Sequence, residues 1–231
     1  MYHSITFGDK NTWDNWHLVP TSRPVFDPPK QKIKTLEILG GNGIIDLSES
    51  LTGYPLYENR EGSFEFVVMN DYKPWQEAYS DISDYIHGRK MRAVLEDDKY
   101  YYYEGRFSVN SWKSDKNNSF ITIDYNVAPY KRRTANSVIK IPFERGTTLK
   151  ELSKKFYGQE PVCPTFELQT EDRKGITIQF VNTTLGISIN RRISDGTTQL
   201  SEIIFYGDEV KMYLLTTSSG TLTVRCSYGR L

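Results

Sequence analysis

The residue types that most often carry chemistry are few and scattered in this chain. The three histidines, His3, His17 and His87, stand far apart, and neither cysteine has a histidine near it in sequence. Metal sites need several His, Cys or acidic ligands at characteristic spacings. Hydrolases and nucleotide-binding proteins carry glycine-containing motifs such as Gly-x-Ser-x-Gly. The sequence contains neither pattern, so we predict no metal site, no cofactor and no nucleophilic catalytic site.

Paired carboxylates are the remaining source of catalysis, because two acidic side chains flanking a glycosidic bond can cleave it. Two groups of acidic residues qualify, Glu96-Asp97-Asp98 and Asp208-Glu209. Each stands where we predict a turn between strands, and acidic residues are ordinary in turns. The sequence therefore favours a protein that is not an enzyme.

One further stretch contains the beginning of a binding motif. Residues 146–149 and 154–158, with the strand before them, resemble the first half of a LysM peptidoglycan-binding repeat. The second half departs from the repeat, because Pro161-Val162-Cys163-Pro164 stands where a second helix is needed. A capped amphipathic helix after a strand produces the same pattern without any ligand.

Composition bounds the class of protein. The chain has 231 residues, 38% of them hydrophobic, with 16 Tyr and 11 Phe, which suit strands and contact surfaces. Its net charge is zero, which argues against a general nucleic-acid or membrane binder. Residues 1–130 carry 14 basic and 19 acidic side chains, and the remainder 15 and 10. This asymmetry is either ordinary scatter or a sign that the acidic half faces something that must not adhere, such as passing DNA.

The two cysteines do not predict a disulfide framework. Cys226 alternates with apolar residues in a strand pattern, so we expect it in the core, whereas Cys163 lies between two prolines in a loop or at a strand start. The N-terminus lacks a secretory signal pattern and no apolar run is long enough to span a bilayer. We therefore expect the chain to be made and folded in cytoplasm.

Residues 1–29 combine two tryptophans with several prolines. Prolines at this density are expected to exclude regular helix and central strand. Trp13 and Trp16 must still be buried somewhere, either in their own domain or, as part of an arm, on a neighbouring subunit. A strand over 33–39, a turn over 40–43 and a strand or extended loop over 44–57 follow.

The next residues predict one sheet with one helix. Residues 61–69 alternate apolar side chains and form a strand. Residues 71–87 form a helix, capped by Asn70 or Asp71 and ended by Gly88. Strands over 91–95, 100–109, 111–113 and 119–127 follow, joined by turns over 96–99 and 114–118.

The last hundred residues predict a second domain. A basic, polar stretch over 131–136 is expected to be a solvated linker, which divides the chain into domains of 1–130 and 131–231. Short alternating strands then recur between polar turns, which favours a β-sandwich. One helix, with a capping box over 148–151, interrupts them. The expected fold class is mainly β, with an N-terminal sheet domain containing one α-helix and a C-terminal β-sandwich.

The first 130 residues also resemble a known family. The residues that carry the resemblance are 1–13, 59–66, 100–105, 112–114 and 123–125. The order and the amino-acid sequence of these segments resemble those of the N-terminal domain of siphophage distal tail proteins. The C-terminal half resembles this family more in its order of elements than in its amino-acid sequence. In the family this half is a galectin-like or carbohydrate-module-like β-sandwich.

This resemblance implies a structural role in a virion. Six copies would form a hub ring at the distal end of a long non-contractile tail, with residues 1–130 forming the ring and its channel. The implied partners are the tail tube protein, a tail tip protein, tail-associated lysin or fibre, and receptor-binding or baseplate proteins. The protein would be assembled in the host bacterial cytoplasm, with DNA passing through its channel without sequence-specific binding and with no membrane insertion.

Two sets of residues follow from these hypotheses. For subunit contacts we predict Trp13, Trp16 and the segment 44–57, within which the candidates are Leu47, Leu51, Tyr54 and Tyr57. The alternative function is a non-catalytic carbohydrate-binding module for cell-wall or surface glycan. Its candidate glycan-facing aromatics are Tyr206, Tyr213 and Tyr228.

Overall fold

The computed structural model describes residues 2–69, 74–114, 119–135, 137–146, 159–207 and 210–231. Internal contacts divide the chain into two units. The first comprises residues 1–49, 55–134 and Leu231, and the second comprises residues 50–54 and 135–230.

The first unit is mostly strand. Its helices are α1 Thr12–Trp16 and α2 Trp75–Ile86. Its strands are β1 Ile5–Phe7, β2 Lys10–Asn11, β3 Leu18–Pro20, β4 Thr35–Glu37, β5 Ile44–Asp46, β6 Arg60–Val68, β7 Arg89–Leu95, β8 Tyr101–Ser114, β9 Ser119–Val127 and β10 Lys131–Arg133.

One antiparallel sheet organises this unit, in the order β2-β1-β7-β8-β9-β6-β3, with β10 paired to the start of β8. Alternate side chains of the long strands point to one face and form the core, as Phe64 and Phe66 of β6 do. Ile82 and Ile86 of α2 belong to the same core, so the helix covers this face of the sheet.

The predicted helix is confirmed, with bounds of Trp75–Ile86 instead of 71–87. It follows Pro74, which suits the start of a helix, while the predicted caps Asn70 and Asp71 lie outside the described residues. Gly88 follows its end with φ +71, a conformation that glycine adopts without strain.

The expectation of an irregular N-terminal segment is wrong. Residues 5–20 form three short strands and the one-turn helix α1. Asn11 caps this helix, because its side-chain oxygen accepts from the backbone N–H of Trp13 at 2.9 Å and of Asp14 at 3.2 Å. Pro20 is tolerated because β3 is an edge strand.

Two further differences concern strand ends. The predicted strands 100–109 and 111–113 are one strand, β8, with a register shift between Val109 and Ser111. Residues 131–133, expected as solvated linker, form β10. Of the predicted turn 114–118, residues 115–118 lie outside the described residues.

A buried arginine links three segments of the first unit. Arg60, at the start of β6, is 4% exposed, and its guanidinium donates to the carbonyl oxygens of Asp27 and Pro129, each at 2.8 Å. Its charge lies 5.5 Å from the ring centre of Tyr103. Burial lowers the pKa of Arg60, which nevertheless stays charged at physiological pH.

The second unit contains two sheets. Its strands are β11 Ser137–Phe143, β12 Thr165–Thr170, β13 Ile176–Asn182, β14 Ile187–Ile193, β15 Gly196–Gln199, β16 Val210–Leu215, β17 Gly220–Cys226 and β18 Gly229–Arg230. The sheet orders are β11-β17-β12-β15 and β14-β13-β16. Side chains from both sheets, such as Phe166 and Phe180, share one core.

The predicted mainly-β class is therefore confirmed. The predicted helix after β11, with its capping box at Thr148 and Glu151, lies outside the described residues, as does most of the LysM-like stretch.

Candidate functional site

The three histidines stay apart in the structure. His3 Nδ1 lies 2.8 Å from Asp97 Oδ2. His17 follows α1 with φ +52, and His87 follows α2, donating its backbone N–H to the carbonyl of Ser83. Within the described ranges, no group of three or more His, Cys, Asp or Glu side chains could hold a metal ion.

The acidic turn Glu96–Asp98 holds the N-terminus in place. Glu96 Oε2 accepts from the backbone N–H of Ser4 at 2.9 Å and from its hydroxyl at 3.1 Å. Asp97 Oδ2 accepts from Arg23 Nε at 2.8 Å and contacts His3. The bonds from Ser4 lower the pKa of Glu96, and the bonds from His3 and Arg23 lower that of Asp97. The second acidic pair, Asp208-Glu209, lies outside the described residues.

These bonds predict that the N-terminal strand is acid-sensitive. Because both carboxyls have a lower pKa in the folded chain, their stabilisation is present above the ordinary carboxyl range of about 4 to 4.5 and is lost as the pH falls through the folded values. We expect Glu96→Gln/Asp97→Asn to be less stable than the wild type at pH 6, with a difference that shrinks toward pH 3. Urea unfolding at each pH measures this. The control is Glu65→Gln, an exposed carboxyl on β6, and a pH-independent difference would contradict the assignment.

The two N-terminal tryptophans have different environments. Trp16 is 2% exposed and lies in the core of the first unit, with its ring centre 5.5 Å from that of Tyr85. Trp13, three residues earlier on α1, is half-buried and stacks on Tyr2, with ring centres 3.8 Å apart, and on His17, with ring centres 5.4 Å apart. Of the two alternatives that the sequence left open, Trp16 therefore follows the first, packing within its own unit. It is not part of the subunit contact proposed below. Trp13 remains a candidate.

The most unusual surface of the described chain is a protruding ribbon, residues 30–47. Every one of these 18 residues is exposed. Strands β4 and β5 pair within it across the turn at 40–43, with Leu36 opposite Ile45, and a bond from Leu47 N to Lys34 O extends the pairing. An isolated two-stranded hairpin is marginally stable in water, so this ribbon is expected to be covered by a partner.

One face of the ribbon carries four large apolar side chains packed side by side. Since side chains two residues apart share a face, Leu36 and Ile38 of one strand lie beside Ile45 and Leu47 of the other. These four side chains are between 39% and 55% exposed. Large exposed apolar patches mark interaction surfaces. We call this set the apolar face.

A basic row precedes the apolar face along the chain. Lys30, Lys32 and Lys34 recur at every second position and are all exposed. Among the described residues none of their ammonium groups has an ion-pair or hydrogen-bond partner. We call these three side chains the lysine row.

Sequence reasoning missed most of this site. Of the apolar face, Leu47 was predicted by name and Ile45 lies in the predicted contact segment 44–57. Leu36 and Ile38 were missed, although the alternation of lysines and then of apolar residues over 30–38 is visible in the sequence. A strand with such alternation is normally read as half-buried in its own domain, so nothing in the pattern marks it as protruding.

The other predicted contact residues lie next to the ribbon in sequence. Leu51 is 98% exposed. Tyr54 and Tyr57 are half-buried, with ring centres 5.1 Å from Tyr206 and 5.9 Å from Tyr130 respectively. The structure does not test their role in subunit contacts, which stays a prediction.

Only one of the three predicted glycan-facing tyrosines presents its ring on a sheet face. Tyr213 lies on β16 with its side chain outward, between the buried Met212 and Leu214. Tyr206 is beside Tyr54. Tyr228 is against the core of the second unit with its hydroxyl out of reach of solvent, and burial strongly raises its pKa. Tyr228 is therefore unsuited to stacking on a sugar.

Both cysteines are free thiols in the second unit. Cys226 is 3% exposed, as expected, and burial raises the pKa of its thiol to about 12. Cys163 is half-buried near the surface. Because thiolate is the reactive form, we expect a thiol reagent to modify one cysteine per native chain and two in denaturant. Cys163→Ser should then remove the native reaction, and rapid labelling of two thiols in the native chain would contradict the prediction.

No family model matches the chain, and no curated protein matches it in sequence. No helix among the described residues is long and apolar enough to cross a membrane. A solved structure does match: the crystal structure of the Dit protein (gp 19.1) of SPP1, described as a paradigm of the hub adsorption apparatus in phages infecting Gram-positive bacteria. The match covers 97% of this chain and 98% of that one, with a TM-score of 0.62 and 12% identity. The likeness to the distal tail family predicted from sequence is thus confirmed at the level of fold, and the chain has the fold of SPP1 Dit.

Proposed function

We propose that this protein is a structural hub of a long, non-contractile phage tail, in which six copies form a ring between the tail tube and the tail tip. The observation that carries the proposal is the fold match, which extends over almost the whole of both chains. A match of that extent covers both units of the chain, so neither unit is left without a counterpart.

The ribbon supplies the contact that a ring requires. A ring of identical subunits needs a head-to-tail interface, in which one surface of each copy meets a different surface of the next. A protruding ribbon with an apolar face is such a surface, since it cannot bury itself within its own unit. Leu51, Tyr54 and Tyr57, which follow the ribbon in sequence, and Trp13 are further candidates for subunit contacts.

Charge favours a second copy of the chain as the partner of the ribbon. Residues 1–130 carry five more acidic than basic side chains, yet they project the unpaired lysine row. A basic row on an otherwise acidic unit is complementary to another copy of that unit. We therefore expect ring assembly to weaken as ionic strength rises.

The remaining proposed partners are those that a hub between the tail tube and the tail tip would contact. The first unit would contact the tail tube protein on one side and a tip, fibre or tail-associated lysin on the other, and the second unit would receive receptor-binding or baseplate proteins. The excess of acidic residues in 1–130 suits a channel through which DNA moves without binding. The protein would lie in the virion, after assembly in the host bacterial cytoplasm.

The test is the mass of the purified chain in solution, by light scattering from low to high concentration, with negative-stain images of the same samples. A six-subunit ring with an open centre would support the proposal. A monomer at every concentration that also fails to co-sediment with tail tubes would refute it.

A further inference from the structure

The outward face of the three-stranded sheet in the second unit has an unusual composition. The register of β14, β13 and β16 places nine side chains on this face in three rows. Across the sheet, the rows are Arg192-Thr177-Leu215, Asn190-Gln179-Tyr213 and Ser188-Val181-Lys211. We call these nine residues the outer platform.

The outer platform carries cations, amides, hydroxyls and one aromatic ring, but no carboxylate at any of its nine positions. Arg192 and Asn190 are exposed, and Gln179, Lys211 and Tyr213 are half-buried. A surface with two positive charges and no negative one attracts anions. The solvated face of a sheet usually carries charges of both signs, which favour solubility. The composition of the outer platform differs from this.

The polar side chains of the platform have no partners among the residues that the structure describes. Gln179, Asn190 and Tyr213 form no side-chain hydrogen bond with a described residue, and neither Arg192 nor Lys211 forms an ion pair with one. By contrast, Arg191, which points to the other face of the same strand, binds Glu202 through Nε and Nη2 at 3.0 and 2.8 Å. The arginine off the platform is neutralised, and the one on it is not.

Two of the three strands of the platform, β13 and β16, are supported by the core. Directly beneath the platform, Ile178, Phe180, Met212 and Leu214 alternate with the platform residues and are fully or almost fully buried in the core. Side chains on such a strand keep their spacing without a ligand, which reduces the entropy lost on binding.

We propose that the outer platform binds an anionic, hydroxyl-rich chain, such as a polyol phosphate or an acidic saccharide. Arg192 and Lys211 contact anionic groups, the amides of Gln179 and Asn190 hydrogen-bond to hydroxyls, and the ring of Tyr213 packs against the C–H face of the chain. The two cations stand two strands and four residues apart, about 16 Å between their Cα atoms by standard strand geometry. The ligand therefore has to span several monomers.

Titration calorimetry with the full chain at low ionic strength tests the proposal with three probes. These are a glycerol-phosphate hexamer, hexagalacturonate and the neutral maltohexaose. We expect one or both anionic probes to bind and the neutral probe to bind at least about tenfold more weakly. The two anionic probes distinguish a polyol phosphate from an acidic saccharide.

Variants assign the binding to the platform. Lys211→Glu and Arg192→Glu should each weaken binding at least about tenfold, since each replaces attraction by repulsion. Tyr213→Ala should weaken it about fivefold. The matched controls are Lys140→Glu, an exposed lysine on β11 of the other sheet, and Tyr100→Ala, an exposed tyrosine of the first unit. Both should bind within twofold of the wild type.

Three outcomes would overturn the proposal. They are no binding of either anionic probe at millimolar concentration, equal binding of the neutral probe, and losses as large in the controls as in the platform variants. A change of oligomeric state in Lys211→Glu without any glycan binding would likewise overturn it, since the platform would then be a protein contact. The measurement does not require a ring, so it can fail or succeed independently of the hub proposal.

Discussion

Replacing Leu36 and Ile45 by serine is expected to convert the proposed ring into folded monomers. The two residues are paired across the ribbon and form the centre of its apolar face. Fully burying an exposed aliphatic side chain contributes about 1.5–3 kcal/mol. Leu36 and Ile45 are 55% and 42% exposed, so the double variant should lose about 1.5–3 kcal/mol per subunit contact, the value for one whole side chain. That loss weakens each contact about ten- to a hundredfold. Light scattering of the variant and the wild type at matched concentrations measures the effect.

The opposite face of the same ribbon provides the matched control. Ile33 and Ile44 are 68% and 62% exposed, and their positions alternate with those of the apolar face. Ile33→Ser/Ile44→Ser removes as much exposed apolar surface from the ribbon as the first variant. It should still form rings. If both double variants remained rings, or if both became monomers, the apolar face would not be the contact that closes the ring.

Replacing Trp16 by alanine should destabilise the first unit by about 3–5 kcal/mol, the usual cost of emptying a tryptophan site in a core. Trp13→Ala should cost far less, about 0.5–1.5 kcal/mol, because it removes only partly exposed ring contacts, with Tyr2 and His17. Urea unfolding of both variants measures the two costs. Equal losses would mean that α1 does not orient the two rings as described.

The chain carries its own reporters for this measurement. All four tryptophans lie in the first unit and both cysteines lie in the second. Tryptophan fluorescence therefore follows unfolding of the first unit, and the accessibility of the buried Cys226 thiol follows the second. Trp16→Ala should shift the fluorescence transition to lower urea and leave the thiol transition in place. A matching shift in both would show that the two units unfold together.

Long elements with regular alternation could be predicted from the sequence. Strand β6 shows Phe64 and Phe66 at alternate positions, and α2 has apolar residues at helical spacing. In both, the side chains that the pattern marks as apolar are those that the core buries. Local pattern and tertiary packing agree in these elements, so the sequence is sufficient.

Short elements and exposure could not be predicted, for two physical reasons. Strand β1 has three residues and pairs with β7, some ninety positions away, so its formation depends on contacts that no local pattern contains. The apolar residues of the ribbon have the alternation of a buried strand, but they stay exposed in the part of the chain that the structure describes. The sequence indicates which side chains are apolar, but it does not indicate whether the chain itself or a partner buries them.

Arg60 has a mechanical consequence. Its guanidinium donates hydrogen bonds to the carbonyl oxygens of Asp27 and Pro129. Asp27 lies three residues before the ribbon begins, and Pro129 lies just before β10. Tension applied along the ribbon and tension applied through the segment after β9 would therefore both act on one buried side chain at the start of β6, the strand between β9 and the edge strand β3. If the chain bears load as a hub, Arg60 would hold both segments to β6 through two hydrogen bonds of 2.8 Å.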